Sequence, residues 1–243
     1  MRIPRIYTAQ DLRPGDEILL PEQAGEHVAR VLRLERGDPL ILFNGDGNEY
    51  DAELSVLAKR SVGVVVMAAR AIDREAALKI TLAQSIARGE KMDWILQKAT
   101  ELGVAAIVPL MTERTEVKLD EERAERRILH WQSVIAGACQ QSGRTRLPAL
   151  SPPLRIDRWL GSLNDDALRL ALLPDASTTL RQLPTIDRGV IVVVGPEGGL
   201  SDQDIAMLRH MKFVGLRLGP RILRAETAGV AALAALQALF GDF

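Results

Sequence analysis

The chain has 243 residues, 47% of them apolar and 26% charged, with a formal net charge of −1. That composition fits one large or two smaller globular domains and excludes a globally basic nucleic-acid binder, so any RNA surface must come from local segregation of charge. The single cysteine, Cys139, excludes an internal disulfide, and His27, His130 and His210 are too scattered for a metal cluster, so no metal is expected.

The opening MRIPRIYTAQDLRPGDE has no apolar core of signal-peptide length, and the longest nearly apolar run, Ala228 to Phe240, is short for a bilayer span. A cytoplasmic chain with no membrane partner is expected. Residues 1 to 72 read mostly as β structure, with a short helix around Glu22 to Leu34 and strands at Pro39 to Phe43, Glu49 to Leu57 and Val62 to Met67. Tyr50, Ala52, Leu54 and Val56 alternate with polar neighbours, the period of a half-buried strand. The Asn44-Gly45-Asp46-Gly47 turn before them predicts a hairpin. This front module reads as a small β-barrel, and its nine basic against eleven acidic residues give no bulk attraction to phosphate.

The short charged stretch Ala71 to Ala77 precedes a change to alternating strands and helices, which places a domain boundary near residue 72. Leu78 to Ile86 is a predicted strand. Met92, Ile95, Leu96, Ala99 and Leu102 then fall at helical spacing, with Gly103 able to end the helix. Val104 to Leu110 is a second strand. Asp120 opens a longer helix with Ile128, Trp131, Ile135 and Ala138 on one face, which makes Cys139 a core thiol and not a nucleophile. Ala167 to Leu173 and Val190 to Val194 are continuous apolar runs, as parallel strands buried on both faces require. Ser201 with Asp204 forms a capping box, Phe213 to Leu218 is the last strand, and Thr227 to Leu239 is a final alanine-rich helix. Two arginine-rich tracts, 126–156 and 205–225, contain no acid; they read equally as RNA-facing surface or as solvated faces with partners elsewhere.

Glycine-proline turns follow two of the apolar strands, where an α/β protein usually binds a small molecule. Neither turn is a GxxxxGK[ST] or GxGxxG phosphate fingerprint. GPEGGLS at 195–201 and LRLGPRILRAETA at 216–228 resemble the two signature loops of the RsmE family, the bacterial small-subunit ribosomal RNA uridine N3 methyltransferases. RGEKMDWILQKATELGV at 88–104, PLMTERTEVKL at 109–119 and CQQSGRTRLP at 139–148 are similar to further blocks of the same family. The resemblance implies an α/β SPOUT fold: a parallel sheet whose C-terminal part is threaded into a trefoil knot, over residues 73–243, preceded by a PUA-like β-barrel, putting RNA binding in residues 1–72. It also implies S-adenosylmethionine as cofactor, methylation of N3 of a uridine in 16S ribosomal RNA, and a homodimer with ribosomal RNA or the small subunit as partner. Two alternatives stay open: a SPOUT enzyme acting on another RNA, and a non-catalytic RNA-binding assembly factor.

By this likeness three loops hold the cofactor: Leu172, Leu173 and Pro174; Gly195, Pro196, Glu197, Gly198 and Gly199; and Leu218, Gly219, Ile222 and Leu223, with Thr227 just beyond. Uridine N3 must lose a weakly acidic proton, so the site needs a base, a cation for the developing uridinate, or both. Arg224 and Arg221, on the cofactor loop, are the cation candidates. Glu197, if buried with a raised pKa, and Glu226, either as base or as a partner for an arginine, are the carboxylates. Arg88, Lys91, Arg114, Arg144 and Arg146 in the family-like blocks, and Arg2, Arg5, Arg30 and Arg33 in the front module, are the expected RNA contacts, each with a plain surface role as the alternative.

Overall fold

The computed structural model describes residues 3–58, 61–117, 120–164 and 166–243; Arg2 and the end of the 109–119 block, Lys118 and Leu119, lie outside them. The chain forms two compact units, Met1–Glu75 with Ala136–Leu147, and Ala76–Ile135 with Pro148–Phe243.

In the first unit β1 (Arg5–Tyr7), β2 (Glu17–Leu19), β3 (Pro39–Phe43), β4 (Asn48–Ala58) and β5 (Ser61–Ala71) form one sheet in the order β1-β3-β4-β5-β2, with α1 (Glu22–Glu26) between β2 and β3. Pairing among the described residues leaves β1 and β2 as the two ends, so the expected barrel is seen as a sheet bent by two register shifts in the β4–β5 ladder. The predicted hairpin joins β3 to β4, where Gly45 and Gly47 take positive φ of 99° and 101°, and the Asn44 and Asp46 side chains accept backbone N–H groups two residues on. Ile6, Leu40, Leu42, Leu54, Val64 and Val66 make the core. The helix expected to reach Leu34 is shorter: α1 passes into one wider π-type turn, His27–Val31, and Arg33 at φ 53° ends the coil.

The second unit is a parallel sheet in the order β11-β13-β10-β12-β6-β7-β8, with β9 also paired to β7. Its strands are β6 (Ile80–Ser85), β7 (Ala106–Met111), β8 (Ala149–Leu150), β9 (Leu154–Arg155), β10 (Leu168–Leu172), β11 (Thr178–Thr179), β12 (Val190–Val194) and β13 (Val214–Arg217). The helices are α2 (Lys91–Glu101), α3 (Glu121–Ser142), whose residues from Ala136 on belong to the first unit, α4 (Ile156–Gly161), α5 (Asp202–His210) and α6 (Ala225–Phe240). All five residues of β12 are buried because both faces are covered. Ile191 and Val193 pack with Ile156 and Trp159 of α4 and Leu208 of α5, while α6 lies against β6 and β12 on the opposite face. Each such fully buried branched side chain contributes about 1.5–3 kcal/mol. Gly229 sets the approach of α6: a Cβ there would stand 3.0 Å from Gln84 Oε1 and 3.5 Å from Val194 Cγ2.

The local signals in the helices hold. Ser201 Oγ accepts the Asp204 amide and Asp204 Oδ2 accepts the Ser201 amide, both at 3.1 Å. Gly103, at φ 76°, ends α2. Cys139 is fully buried, and burial pushes its thiol up to about 11, which leaves it protonated and inert at neutral pH.

Candidate functional site

Because β13, β10 and β12 are parallel neighbours, the loops leaving their C-terminal ends emerge along one sheet edge, the usual ligand position of an open α/β sheet. The three loops expected from the sequence line a single cleft of about 990 Å³. Leu172, Leu173 and Pro174 border it from β10, Gly195, Pro196, Glu197 and Gly199 from β12, and Leu218, Gly219, Ile222 and Leu223 from β13, together with Arg221, Arg224 and Glu226. Gly198 and Thr227 do not border it; both are exposed, and Gly198 points toward Arg114, with room for a Cβ at 3.6 Å.

The glycine loop is shaped by its own backbone. A Cβ on Gly195 would come within 3.0 Å of Leu200 N and Cγ, Gly199 takes φ 70°, and its amide bonds Pro196 O at 2.9 Å. Gly219 takes φ 103°. Such backbone freedom is what glycine supplies where a ligand approaches the main chain closely.

Lys91, the first residue of α2, joins two of these loops. Its Nζ lies 3.1 Å from Glu197 Oε1 and 3.7 Å from Glu226 Oε2. A cation in the first turn of a helix opposes the helix dipole, and the two carboxylates offset that cost. Lys91 is therefore engaged at the cleft and is not a free phosphate contact. Burial alone would raise the Glu197 carboxyl. Its own backbone amide and the Lys91 ammonium outweigh burial and hold it below the usual carboxylate range. That is the reverse of the raised value expected from the sequence, and it makes Glu197 a poorer base. Glu226 is 16% exposed and sits in the first turn of α6, where a negative charge is favoured, and its Oε2 is buried with no hydrogen-bond donor. Arg224 occupies the N-cap position of α6, and both it and Arg221 are exposed, with no ion pair among the described residues.

Several arginines expected on RNA have other tasks. Arg5 is buried: it donates to Glu49 Oε1 at 3.1 Å and to the carbonyls of Cys139, Gln140 and Arg144, and it stacks on Phe43. Arg144 is buried against Glu75. Arg114 donates to Gly198 O at 3.0 Å and Leu200 O at 3.4 Å, bracing the glycine loop. Arg88 pairs with Glu116, and Arg30 with Glu26 at 3.0 Å. Arg33 and Arg146 are exposed. The sequence reading missed the Asp175–Thr178 connection, which also borders the cleft because two-residue β11 pairs with β13; a strand that short leaves no periodic signal.

A family model described as an RNA methyltransferase domain matches residues 74–237, and one described as an RNA methyltransferase PUA domain matches residues 20–67. The chain is similar to the ribosomal RNA small subunit methyltransferase E of Buchnera aphidicola subsp. Schizaphis graminum, 32% identical over 99% of this chain and 98% of the relative. Among solved structures, a Legionella pneumophila chain in complex with the cofactor SAM is 42% identical, with complete coverage of both chains and a TM-score of 0.97. A ribosomal RNA small subunit methyltransferase E from Neisseria gonorrhoeae, bound to S-adenosyl methionine, is 36% identical, again with complete coverage of both and a TM-score of 0.92. With its front part matching the PUA model and the remainder the catalytic one, the chain belongs to the ribosomal RNA small subunit methyltransferase E family.

Proposed function

We propose that the protein transfers the methyl group of S-adenosylmethionine to N3 of a specific uridine in 16S ribosomal RNA. The observation that carries this reading is the convergence of three strand-end loops on one cleft, in a chain of this family. The cleft fits the cofactor on its own terms: glycines at 195, 199 and 219 give the backbone close-approach geometry a side chain would disturb, and Leu172, Leu173, Ile222 and Leu223 supply the apolar wall an adenine needs. When bound, S-adenosylmethionine supplies an electrophilic methyl group. The residues of the chain hold and align the reactants, the source of most of the rate in an in-line displacement. Arg224 and Arg221, which border the cleft with no ion pair among the described residues, are assigned to the charge that develops on the pyrimidine.

The finer architecture belongs to the same proposal. A trefoil knot is supported by β13 lying beside β10 on the side away from β12, while the loops after β12 and β13 border one cleft. A homodimer, a cytoplasmic location, and a division into a PUA-like RNA-binding module at 1–72 and a catalytic domain at 73–243 follow from the family. Arg33 and Arg146 are the exposed basic residues proposed to touch RNA. Nucleoside mass spectrometry of ribosomal RNA from a deletion strain, with and without the gene restored, tests the activity: N3-methyluridine should vanish and return. Its persistence in the deletion would overturn the substrate.

A further inference from the structure

Two carboxylates approach one ammonium at the cleft, and they are not equivalent. Glu197 is 39% exposed and takes the hydrogen bond from Lys91. Glu226 lies at ion-pair distance only, so its buried Oε2 feels the positive charge without receiving a proton donor. A buried carboxylate oxygen with no donor is costly and calls for a physical reason. Glu226 borders the cleft, where a bound group can supply that donor.

We infer that Glu226 is the proton acceptor of the methyl transfer and that Lys91 is its positioning residue, anchored on Glu197 and holding the Glu226 carboxylate at the wall of the cleft. The inference rests on the reading of the protein as a uridine N3 methyltransferase. In the step, the uridine nitrogen forms its bond to the methyl carbon as the carbon–sulfur bond breaks, with that electron pair left on sulfur. The N3 proton passes to the Glu226 carboxylate and later to water. An imide is a weaker acid than a carboxylic acid, so the transfer needs cationic help on the pyrimidine, which Arg221 and Arg224 are placed to give. The charged groups that border the cleft with Glu226 are Arg221 and Arg224 from the loop before α6, Lys91 from α2, Glu197 from the loop after β12, and Asp175, Asp202, Arg209 and Arg217. The other charges of α2 pair elsewhere, Lys98 with Glu101 and Asp93 with His130; β6 and β12 carry none.

Glu226→Gln tests this in the full-length protein. Calorimetric titration with S-adenosylmethionine alone should give an affinity within about threefold of wild type, which also shows the variant folded, while single-turnover methylation of small-subunit RNA slows at least about a hundredfold. With the acceptor gone, only uridine already deprotonated in solution reacts. The variant's rate should then climb about tenfold per pH unit between roughly pH 6 and 8, where wild type is flat. Glu226→Asp should keep the flat profile at an intermediate rate. Lys91→Met should slow transfer, and Lys91→Arg, which keeps a cation between the carboxylates, should restore most of it. A Glu226→Gln profile as flat as wild type, or a loss confined to cofactor affinity, would overturn the inference while leaving the enzyme assignment intact. A wild-type protein that forms no N3-methyluridine would overturn both.

Discussion

The two units use buried charge in opposite ways. In the first, Glu49 is almost fully buried and accepts Arg5 at 3.1 Å and Arg74 at 2.9 Å, while the same arginines donate to the carbonyls of Cys139, Gln140 and Gly143. Those carbonyls lie at the C-terminal end of α3, where the helix dipole favours a cation. Charge there is satisfied and holds structure. In the second unit, Lys91 meets two carboxylates, Glu226 Oε2 is buried without a donor, and Arg221 and Arg224 border the cleft with no ion pair among the described residues. A closed network locks a conformation, and an incomplete one waits for a ligand.

Breaking the closed network should have the largest effect. Glu49→Ala strands the buried Arg5 guanidinium without its carboxylate, and removing one partner of a buried pair costs about 3–5 kcal/mol. Denaturant unfolding followed by circular dichroism should show that loss. A cost under about 1 kcal/mol would place the cluster among exposed pairs. Arg224→Ala is the counterpart in the open network: it should leave stability unchanged and lower turnover by about a hundredfold, equivalent to about 2.7 kcal/mol, with cofactor affinity little altered. A loss confined to cofactor affinity would remove its assigned role on the pyrimidine.

Much of this was legible in residues that act locally. The Ser201–Asp204 box, the Asn44–Gly47 turn, the Gly103 stop and the all-apolar β12 each carry their instruction within a few positions, and each is found as read. The cleft was legible in part, through two glycine-proline turns after apolar strands, while the set of three loops came from the family likeness and their convergence from the parallel strand order. The charges were not. Arg5 finds its carbonyl partners 134 and 135 residues away, and Lys91 finds Glu197 across 106. An arginine in an acid-free tract looks the same whether its partner is solvent, RNA or a distant glutamate, as Arg144 and Glu75 demonstrate.

The glycine loop sharpens the comparison at smaller scale. Gly195→Ala puts a methyl group against Leu200 N and Cγ at 3.0 Å, backbone that cannot move without shifting the cleft wall, whereas Gly198→Ala meets only the side chain of Arg114 at ordinary contact distance. Cofactor affinity measured by calorimetry should fall about tenfold for Gly195→Ala, about 1.4 kcal/mol, and stay near wild type for Gly198→Ala. Equal losses would mean that the cofactor reaches Gly198 after all.

The smallest effect is a titration within the open network. Glu197 has its folded pKa depressed, so its contribution to stability is present above the unfolded carboxylate value and is lost as pH falls through the lower folded one. Being well exposed, it is worth only a few tenths of a kcal/mol after screening. Lys91→Met takes away the ammonium and leaves burial opposed only by backbone hydrogen bonds, so the Glu197 carboxyl-carbon midpoint, read by NMR, should move up. In wild type the depression should shrink as salt rises toward about 1 M, where the Debye length falls to about 3 Å. A Glu197 midpoint unmoved by both the substitution and salt would mean that Lys91 does not hold this loop in solution, and the contrast between a locked and an open set of charges would then rest on Glu226 alone.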